Sequence, residues 1–490
     1  MDYISTRGNY SCNSLQAVLK GIAPDGGLFI SPEILDSPFD WKSVLGLPTL
    51  EMAEKILSHL LPDFTGMSDL VKRAYTGKFE TEDLTPTVRV GGMYVLELFR
   101  GPTSAFKDVA LSMLPQLITS AKKQSGASDE TVILTATSGD TGKSAMEGFR
   151  DVPGTRIIVF YPHGGVSPIQ KAQMATQEGR NVKVCAVRGN FDDCQTAVKQ
   201  AFSKINSSGM LQGMNKTLSS ANSINIGRLA PQVVYYFKAY SDLIGYGRIK
   251  AGDEVDFVVP SGNFGDILAG YFAKLIGLPV RRLVCASNEN RVLSDFLHTG
   301  VYDKRRPFYR TSSPSMDILV SSNLERLLFL ASGCDSAKVS SWMKDLQTEG
   351  VFTADDRTME NIRRTFCGYC CTEEETIRTI GETYRKDAYL CDPHTAVGIK
   401  AAGDYKADNP DDVPVIVLST ASPYKFPDPV SRAIGLKAEN DEFTQIDAIR
   451  DATKVPVPAA LSSLREKKVL HDDVIDREEI IGYVLKALEN

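Results

Sequence analysis

No uninterrupted apolar run in this chain approaches the ~20 residues that a membrane-spanning helix needs, so no such helix is expected. Nor is there a block of lysines and arginines long enough to track a nucleic-acid backbone. With 55 Lys and Arg against 61 Asp and Glu, the formal net charge is −6. That balance argues against nucleic acid or an acidic membrane as a partner. The opening Met-Asp-Tyr-Ile-Ser-Thr-Arg-Gly lacks the basic start and apolar core of a secretory signal, and a cytoplasmic protein is expected. Low-complexity segments and short repeats are missing too. The nine cysteines do not have the spacing of a structural zinc site. Cys367, Cys370 and Cys371 supply half of one, and only Cys391 and His394 follow nearby. Ordinary reduced thiols and no bound metal are the expectation.

What the chain has is length and apolar content. At 490 residues and 42% hydrophobic it can bury the cores of two or three domains. Short Val/Ile/Leu-rich runs at 93–99, 131–137, 155–161, 182–187, 255–260, 282–286 and 413–419 read as strands covered on both faces. Amphipathic stretches between them, at 144–149, 169–177, 191–206, 267–276 and 372–385, read as helices. The last opens with a Thr-Glu-Glu-Glu capping box at Thr372. Alternation of this kind predicts a mainly parallel α/β sheet. The first 90 residues read as mostly helical, with Ser68 capping one helix, and 472–490 reads as a single closing helix. Pro115 falls inside the helix that follows Lys107, which predicts a kink or an early stop.

In open parallel sheets ligands bind at the carboxyl ends of the strands, and several loops there carry small polar residues. Lys107 sits between the turn Gly101-Pro102-Thr103-Ser104 and an apolar helix pattern. Burial of such a lysine favours its neutral amine, which can attack an aldehyde. Ser138-Gly139-Asp140-Thr141-Gly142-Lys143-Ser144 opens a helix and offers amides and hydroxyls to an anion. It is a near miss to a nucleotide-binding P-loop, because Thr137 stands where that motif needs its first glycine. Ser261-Gly262-Asn263-Phe264-Gly265-Asp266 can turn its amides toward one phosphate. A plain tight turn is the alternative for both loops. Asn222, Ser223 and Arg228 bring amide, hydroxyl and guanidinium donors together. Thr420 ends the last strand.

Taken in order, these motifs resemble the threonine synthase family, in its longer form. The resemblance runs from Tyr3–Gly8 and Pro24–Phe29 through Glu97–Asp108, Thr137–Gly142, Asn222–Arg228 and Ser261–Asp266 to Asp392–Gly398 and Ser419–Pro427. It implies a fold-type II pyridoxal 5′-phosphate enzyme, similar to the tryptophan synthase β chain, with two parallel-sheet α/β domains. The expected division is an N-terminal extension at 1–90, a smaller domain at 91–240 and a larger one at 241–490. The resemblance further implies that Lys107 is the Schiff-base lysine and Asp140 lies beside the cofactor's ring hydroxyl. Gly262, Asn263, Phe264, Gly265 and Asp266 would hold the cofactor phosphate, and Thr420 would partner the pyridine nitrogen. Ser138, Gly139 and Thr141 would hold the substrate carboxylate. Asn222, Ser223 and Arg228 would clamp the substrate phosphate. The implied reaction takes O-phospho-L-homoserine and water to L-threonine and phosphate, in a monomer or homodimer. A phospho-lyase giving 2-oxobutyrate is the alternative. Three positions depart from the family pattern: Arg100 and Ser422 replace histidines common in relatives, and Tyr424 replaces a small residue. Arg100 and Lys143 are further candidates for a phosphate contact.

Overall fold

Strands buried on both faces build two separate sheets. The structure, a computed structural model, describes residues 1–489 apart from Ser138, Ala438 and Asn440. The larger sheet has the order Phe366–Cys370, Val280–Ser287, Val255–Pro260, Val415–Ser419, Met93–Glu97, Thr87–Val90. Its neighbours are parallel except for the final hairpin. The smaller sheet runs Val474–Ile475, Val182–Val187, Thr155–Pro162, Glu130–Ala136, Lys216–Ser219 and is parallel throughout. All seven expected strands are present.

Sheet membership cuts across the linear division at 90/91 and 240/241. The hairpin formed by Thr87–Val90 and Met93–Glu97, just before Lys107, joins the larger sheet beside Val415–Ser419. Val474–Ile475, near the end of the chain, adds an edge strand to the smaller one. Parallel neighbours are joined by crossovers, so adjacency in a sheet does not follow adjacency in sequence.

The N-terminal region is helical at Ser14–Lys20, Thr49–Leu60 and Met67–Tyr75. It also carries a small antiparallel sheet of Tyr3–Ser5, Ser11–Cys12 and Phe29–Ile30. Its apolar faces lie on the helices Lys107–Gln124 and Ile226–Gly245 and share their core. Three local expectations need correction. Ser68 is not a cap: the helix begins at Met67 after Gly66, whose φ of 67° is left-handed. Residues 472–490 form a strand, a short 3-10 turn at Arg477–Glu479 and a helix only from Ile480. An Asp476–Glu479 capping box there delays the helix start.

The helix Lys107–Gln124 passes through Pro115 without stopping. Proline leaves the carbonyl four residues earlier, on Leu111, without its helical donor. The neighbouring helix Asp140–Phe149 presses Gly148 against that carbonyl so closely that a Cβ would lie 2.0 Å from it. Pro115 is buried with most of its helix, and tertiary packing overrides the local penalty.

Candidate active site

Leaving the strand Met93–Glu97, the chain is stitched to the loop after Val415–Ser419. The Leu98 amide donates to the Ser419 carbonyl at 2.9 Å, Phe106 to Thr420 at 2.8 Å and Ser422 to Ser104 at 3.1 Å. Gly101 has no room for a side chain, since a Cβ would meet Asp108 Oδ2 at 2.5 Å. Asp108 in turn accepts the amide of Thr103 at 2.8 Å and its hydroxyl at 2.5 Å. This turn delivers Lys107 as the first residue of its helix, with Nζ donating to Ser315 Oγ at 3.3 Å. Burial brings the lysine down from its ordinary value of 10.5 to about 8. The nearby Asp140 works against that fall, while Lys425 and Arg228 add to it.

From the smaller sheet, Glu130–Ala136 ends at Thr137, whose hydroxyl collects the amides of Gly139 at 3.0 Å and Gly142 at 2.9 Å. Gly139 has φ 144°, and a Cβ there would run into Gln170. The helix Asp140–Phe149 therefore begins at the cleft, with Thr141 partly exposed in its first turn. Ser138, expected with them, lies outside the described residues. Asp140 forms an ion pair with Lys425, Oδ1 to Nζ 2.7 Å. Burial alone would raise its carboxyl, but the ammonium groups of Lys425 and Lys107 hold it well below the carboxylate range. Lys143 turns elsewhere: its amine donates to Gln177 and pairs with Glu147 at 3.7 Å.

The loop after Val255–Pro260 keeps Gly262, Asn263 and Gly265 at least partly exposed. Gly262 packs so close to Ser315 that a Cβ would sit 2.6 Å from its carbonyl oxygen, and Phe264 is left-handed at φ 60°. Asn323 braces the loop, with its amide nitrogens on the Asn263 carbonyl at 3.1 Å from the backbone and 3.0 Å from the side chain. Asp266 is not available as a side-chain phosphate ligand. It is buried, and its Oδ1 accepts the hydroxyls of Tyr235 at 2.6 Å and Tyr236 at 3.0 Å. Burial raises its carboxyl to about 7. Thr420 is nearly buried at the end of Val415–Ser419, across from the lysine turn.

Asn222, Ser223 and Arg228 follow the strand Lys216–Ser219, a fourth strand end that the polar sequence Lys-Thr-Leu-Ser did not signal. Asn222 is exposed and Ser223 partly so, and the Ser223 carbonyl accepts from Asn323 at 3.3 Å. Arg228 is 3% exposed, and among the described residues it has no carboxylate partner. One guanidinium nitrogen donates to the Ala221 carbonyl at 2.6 Å, while Nε is buried and unpartnered. Burial depresses it to about 10. The three unusual positions are occupied structurally. Arg100 is held by Glu97 at 2.6 Å and Glu80 at 3.2 Å. The Ser422 hydroxyl caps the turn at Tyr424, 3.4 Å. The Tyr424 hydroxyl donates to the Val455 carbonyl at 2.5 Å. None of these three contacts reaches the cleft.

Three further residues belong to the site. The one sequence signal for Lys425 is a lysine in apolar company between Pro423 and Pro427. His394 follows Asp392-Pro393 at a helix start. Asp392 caps that helix and lies 2.5 Å from His394 Nδ1. His394 Nε2 accepts the Ser315 amide at 3.1 Å, so the ring proton sits on Nδ1. Ser315, which receives Lys107, comes from a 3-10 turn at Pro314–Met316 and has no sequence signal of its own.

Comparison with known proteins is consistent along the whole chain. The pyridoxal-phosphate dependent enzyme model matches residues 78–420, between a threonine synthase N terminus at 2–75 and a threonine synthase C-terminal region at 395–480. Threonine synthase of Schizosaccharomyces pombe is 39% identical over 482 residues, covering 91% of this chain and 92% of its own. The chain belongs to the threonine synthase family. Human threonine synthase-like 1 is also 39% identical, over 440 residues and 87% of this chain. This chain spans 58% of the length of that protein and of its counterparts in Macaca fascicularis and Pongo abelii. Among solved structures, pyridoxal-phosphate-bound threonine synthase from Brucella melitensis superposes over all of both chains, with TM-score 0.87 and 37% identity. The yeast enzyme superposes at 0.88 with 34% identity, over 100% of this chain and 99% of that one. The fold is thus that of the fold-type II pyridoxal-phosphate enzymes, and the cofactor is pyridoxal 5′-phosphate. The residues fit it. An amine with lowered proton affinity stands near a glycine loop that excludes a Cβ, as close approach of a phosphate requires.

Proposed function

We propose that this protein is a threonine synthase, converting O-phospho-L-homoserine and water to L-threonine and phosphate. The observation that carries the reading is Arg228, a buried guanidinium with no acidic partner among the described residues and with its charge felt at Lys107. A lone buried cation is costly unless an anionic ligand completes it. The cofactor phosphate has its own station in the Gly262–Gly265 loop, so Arg228 supports a second phosphate, on the substrate. Asn222 and Ser223 are the donors beside it.

The remaining roles are those that the family resemblance implies. Lys107 anchors the cofactor, with Thr420 at the ring nitrogen and Asp140 at the ring hydroxyl. Bound pyridoxal phosphate supplies an electron sink for negative charge developing at the substrate's α-carbon. Lys107, with its proton affinity near neutrality, removes the α-proton and redelivers protons along the side chain. Gly139 and Thr141, at a helix start, receive the substrate carboxylate. Arg228 binds the leaving phosphate, and water adds at the β-carbon.

The test is a product balance on the purified protein with O-phospho-L-homoserine. Phosphate and threonine should form in equal amounts, and Lys107→Ala should abolish both. Arg228→Leu should raise KM by about tenfold or more, the worth of one charge-assisted hydrogen bond. Phosphate with 2-oxobutyrate and no threonine would mean a phospho-lyase. No phosphate release from cofactor-loaded protein would overturn the substrate assignment.

A further inference from the structure

Lys425 is a buried charge of the cleft, with no side-chain exposure. It rises from the 3-10 turn Pro423–Lys425 on the larger sheet's loop and reaches two groups. One is the carboxylate of Asp140 on the smaller sheet's helix, at 2.7 Å; the other is the carbonyl of Thr103 in the lysine turn, at 3.1 Å. A purely structural lysine would be content with the carbonyl and surface water. This one spans both halves of the cleft and ends on the carboxylate that faces the reacting amine. We propose that Lys425 is a positioning residue that keeps Asp140 ionised beside Lys107, so that the charge next to the cofactor's anchoring amine is set from the opposite sheet.

The reasoning is electrostatic. A buried carboxyl without a cation takes up a proton. With Lys425 in place Asp140 is an anion, and it opposes the burial and the neighbouring cations that drive the Lys107 proton off. The other titratable groups facing this pair are Arg228, His394 and Asp108. Asp108 is engaged by Thr103, and His394 by Asp392 and Ser315. Asp140 acts on Lys107 more strongly than Asp108 does, and Lys425 is its direct partner. The inference rests on the cofactor-anchoring role of Lys107 and is independent of which product forms.

The experiment follows the visible absorption band of the pyridoxal-phosphate-loaded protein as pH is varied, in two backgrounds. In the wild-type background Asp140→Asn should lower the titration midpoint by about one pH unit or more, because the cations lose their compensating anion. In the Lys425→Met background Asp140 is already protonated and neutral, so adding Asp140→Asn should leave the midpoint where it was. An equal shift in both backgrounds, or no shift in either, overturns the proposal. The double variant should also melt above Asp140→Asn alone, since two neutral groups replace the lone buried charge of Lys425. A double variant that melts lower overturns it too. A missing threonine product would sink the substrate assignment and leave this result standing.

Discussion

Lys107 stands where a lysine costs the folded protein stability. Unfolded, it keeps its proton up to its ordinary value of 10.5; folded, it releases it near 8. Between those values the unfolded state binds more protons, so stability rises with pH across that window. Below pH 8 the full penalty is present, and above 10.5 it has gone. In the cofactor-free protein, Lys107→Met should therefore increase stability at pH 7, by on the order of 2 kcal/mol. The gain should shrink as pH climbs through the window, which urea unfolding at several pH values would show. A destabilised Lys107→Met at pH 7 would contradict the burial argument. Lys107 itself was legible from its Gly-Pro-Thr-Ser turn and the apolar helix behind it. Asp266 was not: its motif reads as a phosphate loop, but its carboxylate is claimed by Tyr235 and Tyr236, some thirty positions earlier in the chain. Lys143 was misplaced for the same reason, since Gln177 and Glu147 reach it only in three dimensions.

At the scale of elements, the pair of helices Lys107–Gln124 and Asp140–Phe149 positions Lys107 against Asp140. Their approach depends on Gly148, which meets the carbonyl that Pro115 leaves unpaired. Gly148→Ala should force the helices apart and destabilise the protein by about 1–3 kcal/mol, the usual cost of overpacking. A lowered denaturant midpoint with unchanged slope would show it; an unchanged midpoint would mean that the helix pair has slack. The sequence alone predicts a kink or an early stop at Pro115, and the helix does not stop, because local rules cannot see a neighbour that fills the gap. Strands sandwiched between helices were legible from their Val/Ile/Leu runs. Lys216–Ser219 was not, being short, polar and at the sheet edge, although it delivers the Asn222–Arg228 segment.

Over the whole molecule, Arg326 ties three regions together. Fully buried, it donates to the carbonyl of Phe29 at 2.9 Å, to Asn323 Oδ1 at 2.5 Å and to the carbonyl of Ile224 at 2.5 Å. Asn323 then bonds both Asn263 and Ser223. The N-terminal region thus braces the Gly262–Gly265 loop and the Asn222–Arg228 segment through one side chain. Asn225 repeats the link, its amide donating to the Val18 carbonyl at 2.9 Å. Arg326→Met strips these three acceptors of their donor. It should cost about 3 kcal/mol of stability and raise KM for O-phospho-L-homoserine by about tenfold. Unfolding and steady-state kinetics on the variant would test both. An unchanged KM would mean that the N-terminal region does not brace the site.

The sequence by itself determined the parallel α/β class, the loops at the strand ends and the place of Lys107 at a helix start, because these follow from local periodicity, turn chemistry and ordered motifs. Only the tertiary structure decided which strands share a sheet, since crossovers, not sequence neighbours, set parallel pairing. It alone turned Asp266, Lys143, Arg100 and Tyr424 away from the cleft and brought Lys425, Ser315 and His394 into it. Burial and charge compensation are properties of the assembled site. Lys425 and Asp140 lie 285 positions apart in the chain and 2.7 Å apart in the fold.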